Sequence, residues 1–158
     1  MKVHVKKVVG GAAIVIAGAF VAPWEGKRNT AYVDIAGVLT VCYGHTGPDV
    51  YRGLRVTDDE CRRLLNEDLA EALTVVTHSV TAPMSEPRKA GLASFVFNVG
   101  ETKFKHSTLL RLLNRGHPAA CDQLLRWIYV YDPNTGEYVI SESILQRRIE
   151  ERELCLYE

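Results

Sequence analysis

The 158-residue chain has no excess of charge of either sign, because Lys+Arg and Asp+Glu both total 19. It also has no basic tail and no stripe of cations interleaved with aromatic side chains. Nucleic acid is therefore excluded as an expected partner, since its binding depends on concentrated positive charge. Hydrophobic residues make up 47% of the chain, enough for about one domain, with room for two small lobes that share a core.

The sequence has no cysteine pair at the close spacing typical of a zinc site. Its cysteines are Cys42, Cys61, Cys121 and Cys155. An even number fits two disulfides if the chain leaves the cytoplasm, and buried thiols if it does not. The N-terminal segment therefore decides how the cysteines are interpreted.

The N-terminus has no uncharged run as long as the about 20 residues that a stable membrane span needs. Lys2, Lys6 and Lys7 precede a shorter uncharged run at residues 8–22, which is rich in glycine and alanine. A basic start before an apolar run is typical of an export signal. The positive charge orients the rest of the chain outside the cytoplasm.

Several interpretations of this segment are open. It could be a signal peptide cleaved at residues 17–19, a permanent anchor, or an uncleaved segment that leaves the bilayer and packs as a helix. A buried helix of a cytosolic protein would look similar. Cleavage would leave the carboxylate of Glu25 near a frayed terminus, which is a poor place for a group that needs fixed geometry.

A β-hairpin is predicted directly after this segment. Residues 31–35 and 38–42 are β-prone runs, and Gly37 between them suits a tight turn. A hairpin folded about Gly37 would place Asp34 directly opposite Thr40, close enough for both to hold one water.

Glu25 is then expected to face Asp34 across a gap, from the end of the preceding helix. Two carboxylates on opposite walls of a cleft are the chemistry of glycoside hydrolysis. One acid protonates the leaving oxygen while the other acts on the opposite face of the sugar.

Several motifs in the same order resemble the phage lysozymes, which are endolysins that cut peptidoglycan. The first is Glu25, Asp34 and Thr40 followed by the Gly-His-Thr-Gly run at residues 44–47. The others lie at residues 56–69, 93–100, 107–111, 126–127 and 147–148 and at Cys155. The resemblance covers residues 24 to 156.

This resemblance implies an α+β, mainly helical lysozyme-like fold. A small N-terminal β-hairpin lobe and a C-terminal helical lobe would be joined by a long helix, with the cleft between the lobes. Thr57 and Glu60 form a capping box for that helix. An apolar stripe at helical spacing follows it: Cys61, Leu64, Leu65, Leu69 and Leu73.

The resemblance also implies catalytic roles. Glu25 matches the general acid, Asp34 the carboxylate that activates water, and Thr40 the hydroxyl that positions this water. The reaction would invert the anomeric carbon and cut the β-1,4 bond between N-acetylmuramic acid and N-acetylglucosamine. No metal and no organic cofactor is implied, and the protein is expected to act as a monomer on glycan strands.

Further residues are matched with alternatives. His45 is expected to be structural and paired with Asp68, although a proton shuttle is the alternative. Arg147 matches an arginine near the acid, and Asn98 could bond a sugar amide. The alternatives are a surface arginine on an Arg/Glu-rich helix for Arg147 and a helix-terminal asparagine for Asn98.

The expected disulfides are Cys42–Cys61 and Cys121–Cys155, one of three possible pairings. Cys42 follows the hairpin, and Cys61 opens the helix that packs beside it. The other two cysteines lie in the C-terminal half.

The N-terminal run resembles a signal-anchor-release segment, which divides the chain into residues 1–23 and a catalytic domain at residues 24–158. Such endolysins use the host export machinery, are held inactive in the inner membrane facing the periplasm, and are then released. The resemblance also implies a holin-type membrane protein as a partner. Residues 1–23 contain no cysteine, so inactivity would come from holding Glu25 at the bilayer, away from Asp34.

The leading hypothesis is an endolysin that lyses the host. The alternatives are a periplasmic hydrolase with a cleaved signal, a non-catalytic wall-binding protein and a single-pass membrane scaffold. The presence of Glu25, Asp34 and Thr40 together argues against the non-catalytic alternative.

Overall fold

The chain, as a computed structural model, is described at residues 11–158 and has the predicted α+β organisation. The basic start with Lys2, Lys6 and Lys7 lies outside the described residues. The helices are α1 (Gly11–Glu25), α2 (Asp58–Ser79), α3 (Glu86–Val99), α4 (Glu101–Lys105), α5 (Thr108–Asn114) and α6 (Glu142–Leu156), with a 3-10 helix at Cys121–Arg126. The strands are β1 (Arg28–Val33), β2 (Leu39–Cys42), β3 (His45–Thr46), β4 (Tyr129–Asp132) and β5 (Glu137–Ile140).

The N-terminal lobe is a three-stranded antiparallel sheet in the order β1-β2-β3. The predicted hairpin is present, but its expected register is wrong: Thr40 lies opposite Tyr32 instead of Asp34. The reason is the Asp34 side chain, whose Oδ1 accepts hydrogen bonds from the amides of Ala36 (2.9 Å) and Val38 (2.8 Å). These bonds enclose the turn at residues 34–38 and make Asp34 a diagonal neighbour of Thr40.

Helix α2 joins the lobes, as predicted. Thr57 Oγ1 caps it by accepting a hydrogen bond from the Glu60 amide at 3.2 Å. The predicted apolar stripe is buried. Its N-terminal part packs with Val41 and Cys42 of the sheet, and its later part packs with Leu92 and other residues of the C-terminal core. Helix α2 therefore contributes side chains to the cores of both lobes.

Helix α1 contains most of the uncharged N-terminal run and packs on α2 and α3. Ala13, Ala17 and Val21, spaced four residues apart, are buried, because this spacing puts them on one face of the helix. The helix runs without a break across the predicted boundary at residue 23. In the part of the chain that the structure describes, no helix has the length and apolarity required to cross a membrane.

Both expected disulfides are present. Cys42 of β2 is bonded to Cys61 in the first turn of α2, and Cys121 of the 3-10 helix is bonded to Cys155 of α6. Each bond therefore ties a short element to a long helix within one lobe.

Candidate active site

Glu25 is the last residue of α1, and its carboxylate lies where the two lobes meet. Arg147 Nη1 donates a hydrogen bond to Glu25 Oε1 at 2.6 Å. Glu25 Oε2 lies 3.8 Å from the place where a Cβ on Gly44 would be, and Gly44 has a φ of +82°. A side chain at Gly44 would therefore be strained and would crowd the carboxylate.

A groove of about 400 Å³ opens beside Glu25. One wall comes from Gly44 in the β2–β3 turn and Thr46 in β3, and another comes from α2. The end of α3 contributes Asn98. The groove also contains three further carboxylates: Asp68, Glu71 and Glu101. A cleft that combines one held carboxylate with many acceptors suits a hydroxyl-rich ligand more than a polyanion.

Thr40 and Asp34 belong to the β1–β2 hairpin, which lies next to β3. Thr40 pairs with Thr46, which lines the groove, and Asp34 is diagonal to Thr40 across the hairpin. Within the described part of the chain, the groove lining includes Thr46 but neither Asp34 nor Thr40. Thr40 is buried and donates its hydroxyl to the carbonyl of Val38 at 3.0 Å.

Arg147 belongs to a buried charge network under Glu25. Its Nε donates to Glu151 Oε1 at 3.1 Å, and its Nη2 donates to Ser94. Arg148 donates to Glu151 Oε2 at 2.5 Å, and the Ser94 hydroxyl donates to Glu151 Oε1 at 2.7 Å. The network therefore fixes the guanidinium that holds Glu25.

The structure separates the two residues expected to bind substrate. Arg147 is only 3% exposed, so it contacts Glu25 from behind instead of facing the open groove, because Glu151 and Ser94 hold it in the core. Asn98 is exposed on the groove wall, and its Oδ1 accepts a hydrogen bond from Arg148. The Asn98 amide group thus keeps its N–H donors for a ligand.

Sequence reasoning did not identify Ser94, Arg148 or Glu151 as parts of the site. The available signal was the spacing on α6, where Glu151 follows Arg147 by four positions and Arg148 by three, so all share a helix face. That pattern is common on exposed helices, and only the fold distinguishes a buried cluster from a solvated one.

His45 and Asp68 are brought together as expected. His45 Nδ1 lies 2.8 Å from Asp68 Oδ2, and its Nε2 lies 3.0 Å from Asp49 Oδ2. Burial of the ring disfavours the imidazolium, but the hydrogen bonds to Asp68 and Asp49 outweigh it and raise the pKa of His45. Burial also raises the pKa of Asp68, despite its bond to His45. The contact joins β3 to α2 beside the groove.

Replacing Asp68 with asparagine is expected to lower the pKa of His45, because the imidazolium loses its more buried partner. The pKa of His45 is raised in the folded protein. Its contribution to stability is therefore fully present below the pKa of an unfolded histidine, about 6.5. This contribution is lost as the pH rises through the folded pKa. The measurement is NMR titration of the His45 ring with parallel denaturation curves.

Asp59→Asn is the matched control for this titration, because Asp59 is also on α2 but pairs with Arg62. It should leave the His45 curve unchanged. An identical His45 titration in Asp68→Asn and the unmodified protein would contradict the ion pair.

Within residues 11–158, no group of three or more His, Cys, Asp or Glu side chains is arranged to hold a metal ion.

The chain is similar to known proteins over most of its length. The chain matches the family model described as Phage lysozyme over residues 22–151. It is 40% identical over 156 residues to the SAR-endolysin of Bacteriophage PS34, with 94% of this chain and 90% of that relative covered. It is 38% identical over 156 residues to the SAR-endolysin of Enterobacteria phage P21, with 94% and 91% covered.

A solved structure shares the fold. The muramidase domain of SpmX from Asticaccaulis excentricus is 28% identical, with a TM-score of 0.81, and the match covers 95% of this chain and 98% of that chain. Together with a family match over most of the sequence, this similarity shows that the chain belongs to the phage lysozyme family of glycoside hydrolases.

Proposed function

We propose that this chain is an endolysin that hydrolyses the β-1,4 bond between N-acetylmuramic acid and N-acetylglucosamine in peptidoglycan, and so lyses the host cell. The observation that carries the proposal is the Glu25 carboxylate, held by Arg147 at 2.6 Å on the edge of an open groove. Its relatives are named endolysins, which supports the same substrate.

Glu25 acts as the general acid in this mechanism. It donates a proton to the glycosidic oxygen as the bond breaks, and Arg147 keeps the carboxyl group in one orientation. A fixed acid within reach of the leaving oxygen accounts for a large part of such catalysis.

Asp34 activates the attacking water in this mechanism, and Thr40 positions it. Oδ1 of Asp34 is already used by the two turn amides, so its other oxygen is the one that takes a proton from water. The Thr40 hydroxyl gives its hydrogen to Val38, so its lone pairs accept a hydrogen bond from the same water. Water attack opposite the leaving group inverts the anomeric carbon.

Analysis of the products tests the bond and the stereochemistry. Purified peptidoglycan should yield fragments with N-acetylmuramic acid at a reducible end, and NMR at early times should show the α-anomer first. Fragments that end in anhydro-muramic acid, or in N-acetylglucosamine, would contradict hydrolysis of this bond. A β-anomer formed first would contradict inversion alone.

We also propose that residues 1–23 act as a signal-anchor-release segment ahead of the catalytic domain at residues 24–158. Two features support this: the relatives are named SAR-endolysins, and α1 is uncharged from Gly11 to Trp24 yet packs in the folded protein. The protein would reach the inner membrane through the export machinery and then enter the periplasm.

Membrane fractionation before and after an uncoupler tests the release. We expect the protein to move from the membrane to the periplasmic fraction with an intact N-terminus by mass spectrometry. Loss of about twenty residues, roughly the length of a cleaved signal, would support the cleaved alternative. Protein that never leaves the membrane would support the scaffold.

A further inference from the structure

Helix α1 places Glu25 in the site, so the position of α1 along its own axis decides where this carboxylate lies. The buried residues Ala13, Ala17 and Val21 are small. Beside them, the larger Ile14, Ile16 and Phe20 are partly buried against the core. A slip of one turn moves Glu25 by about 5.4 Å, which would break its 2.6 Å contact with Arg147.

A polar contact at the other end of α1 opposes this slip. The Ala13 amide donates a hydrogen bond of 2.9 Å to Glu86 Oε2, in the first turn of α3. The first amides of a helix have no partner within it, and a carboxylate beside them also interacts favourably with the helix dipole. Glu86 Oε1 is held in turn by Lys89 Nζ at 3.0 Å. The hydrogen bonds from Lys89 and from Ala13 lower the pKa of Glu86.

Both ends of α1 are held by contacts that lead to the same helix, α3. Glu86 holds the Ala13 end, and Ser94 bonds the Arg147 side chain that holds Glu25. Ala13 and Glu25 are twelve positions apart, about 18 Å along a helix. Because α1 and α3 are each one continuous helix, the two contacts are made together in a single axial register of α1.

We infer that Glu86 is a positioning residue that sets the axial register of α1 and thereby places Glu25 for catalysis. This inference rests on the proposed role of Glu25 as the general acid. Glu86 touches neither substrate nor the reacting atoms. It acts through the backbone amide of Ala13.

The test compares kcat and KM for Glu86→Ala and Glu86→Gln on solubilised peptidoglycan. Glu86→Ala should lower kcat about tenfold, as loss of one well-placed hydrogen bond allows, with KM unchanged within about twofold, because the groove itself is intact. Glu86→Gln should restore most of kcat, since its amide oxygen still accepts from Ala13.

A second readout follows Trp24, which is next to Glu25. In a Trp127→Phe background Trp24 is the remaining one of the two tryptophans, and Glu86→Ala should shift its emission whereas Glu86→Gln should not. Glu60→Ala is the matched control, because it removes a first-turn acid and its pair with Arg63 without touching α1. It should change neither kcat nor the emission.

These outcomes separate the inference from the proposed function. If Glu25→Gln is inactive but Glu86→Ala has full kcat, the positioning role is wrong and the muramidase proposal stands. If Glu25→Gln remains active, the acid assignment itself is wrong. Equal losses in Glu86→Ala and Glu86→Gln, or a loss without a shift in Trp24 emission, also overturn the register role. If Glu86→Ala does not fold, Glu86→Asp takes its place in the comparison. A kcat of Glu86→Asp equal to that of Glu86→Gln would then contradict the inference.

Discussion

Replacing Glu25 with glutamine is expected to reduce muropeptide release by roughly 100- to 10,000-fold, the range that a general acid contributes. Glutamine keeps the size of the side chain and can still accept a hydrogen bond from Arg147, but it has no proton to give to the leaving oxygen. Wall binding should persist, because the groove is unchanged. The measurement is turbidity clearing of permeabilised cells, with muropeptides separated by chromatography.

The control for this variant is Glu153→Gln, which changes an exposed glutamate on α6, the helix that carries Arg147. It should release muropeptides at the normal rate. A normal rate in Glu25→Gln would refute the acid assignment. A protein that binds walls but releases nothing, even without the substitution, would favour the non-catalytic alternative.

Of the substitutions proposed here, Glu151→Ala should lower the free energy of unfolding the most, by about 3–5 kcal/mol, because it leaves buried charge unpaired. Glu151 is fully buried, and it accepts hydrogen bonds from Arg147, Arg148 and Ser94. The two guanidiniums would then lie in the core beside each other without their shared carboxylate. The free energy of unfolding in urea gives the measurement.

Glu150→Ala provides the comparison for Glu151→Ala, because its bond to Gln146 is exposed. Loss of an exposed contact typically changes stability by less than about 0.5 kcal/mol. If the two variants unfold at the same urea concentration, the buried network does not stabilise the fold as proposed.

The features predictable from the sequence are those with local signals. The capping box at Thr57 and the apolar stripe of α2 follow from residues a few positions apart, and the structure shows both. The two β-prone runs also form paired strands. The roles predicted for Glu25, Asp34 and Thr40 stay predictions; of the three, Glu25 is among the described residues that line the groove.

The rest depends on contacts that no local pattern encodes. The hairpin register was missed because one side chain, Asp34, bonds the amides of its own turn, and the strand pattern does not include that contact. The buried network joins residues far apart in the chain: Arg147 and Glu25 are separated by 122 positions, and Ser94 and Glu151 by 57. Such contacts exist only once the helices have packed.

The placement of the disulfides has a mechanical consequence. Cys42–Cys61 lies on the sheet side and Cys121–Cys155 on the helical side, so neither covalent bond crosses the groove. Formation of these bonds stabilises each half against unfolding without adding a covalent link between the two sides of the groove. A groove without a covalent bridge over it leaves its long side open to a polymer, which need not be threaded from one end.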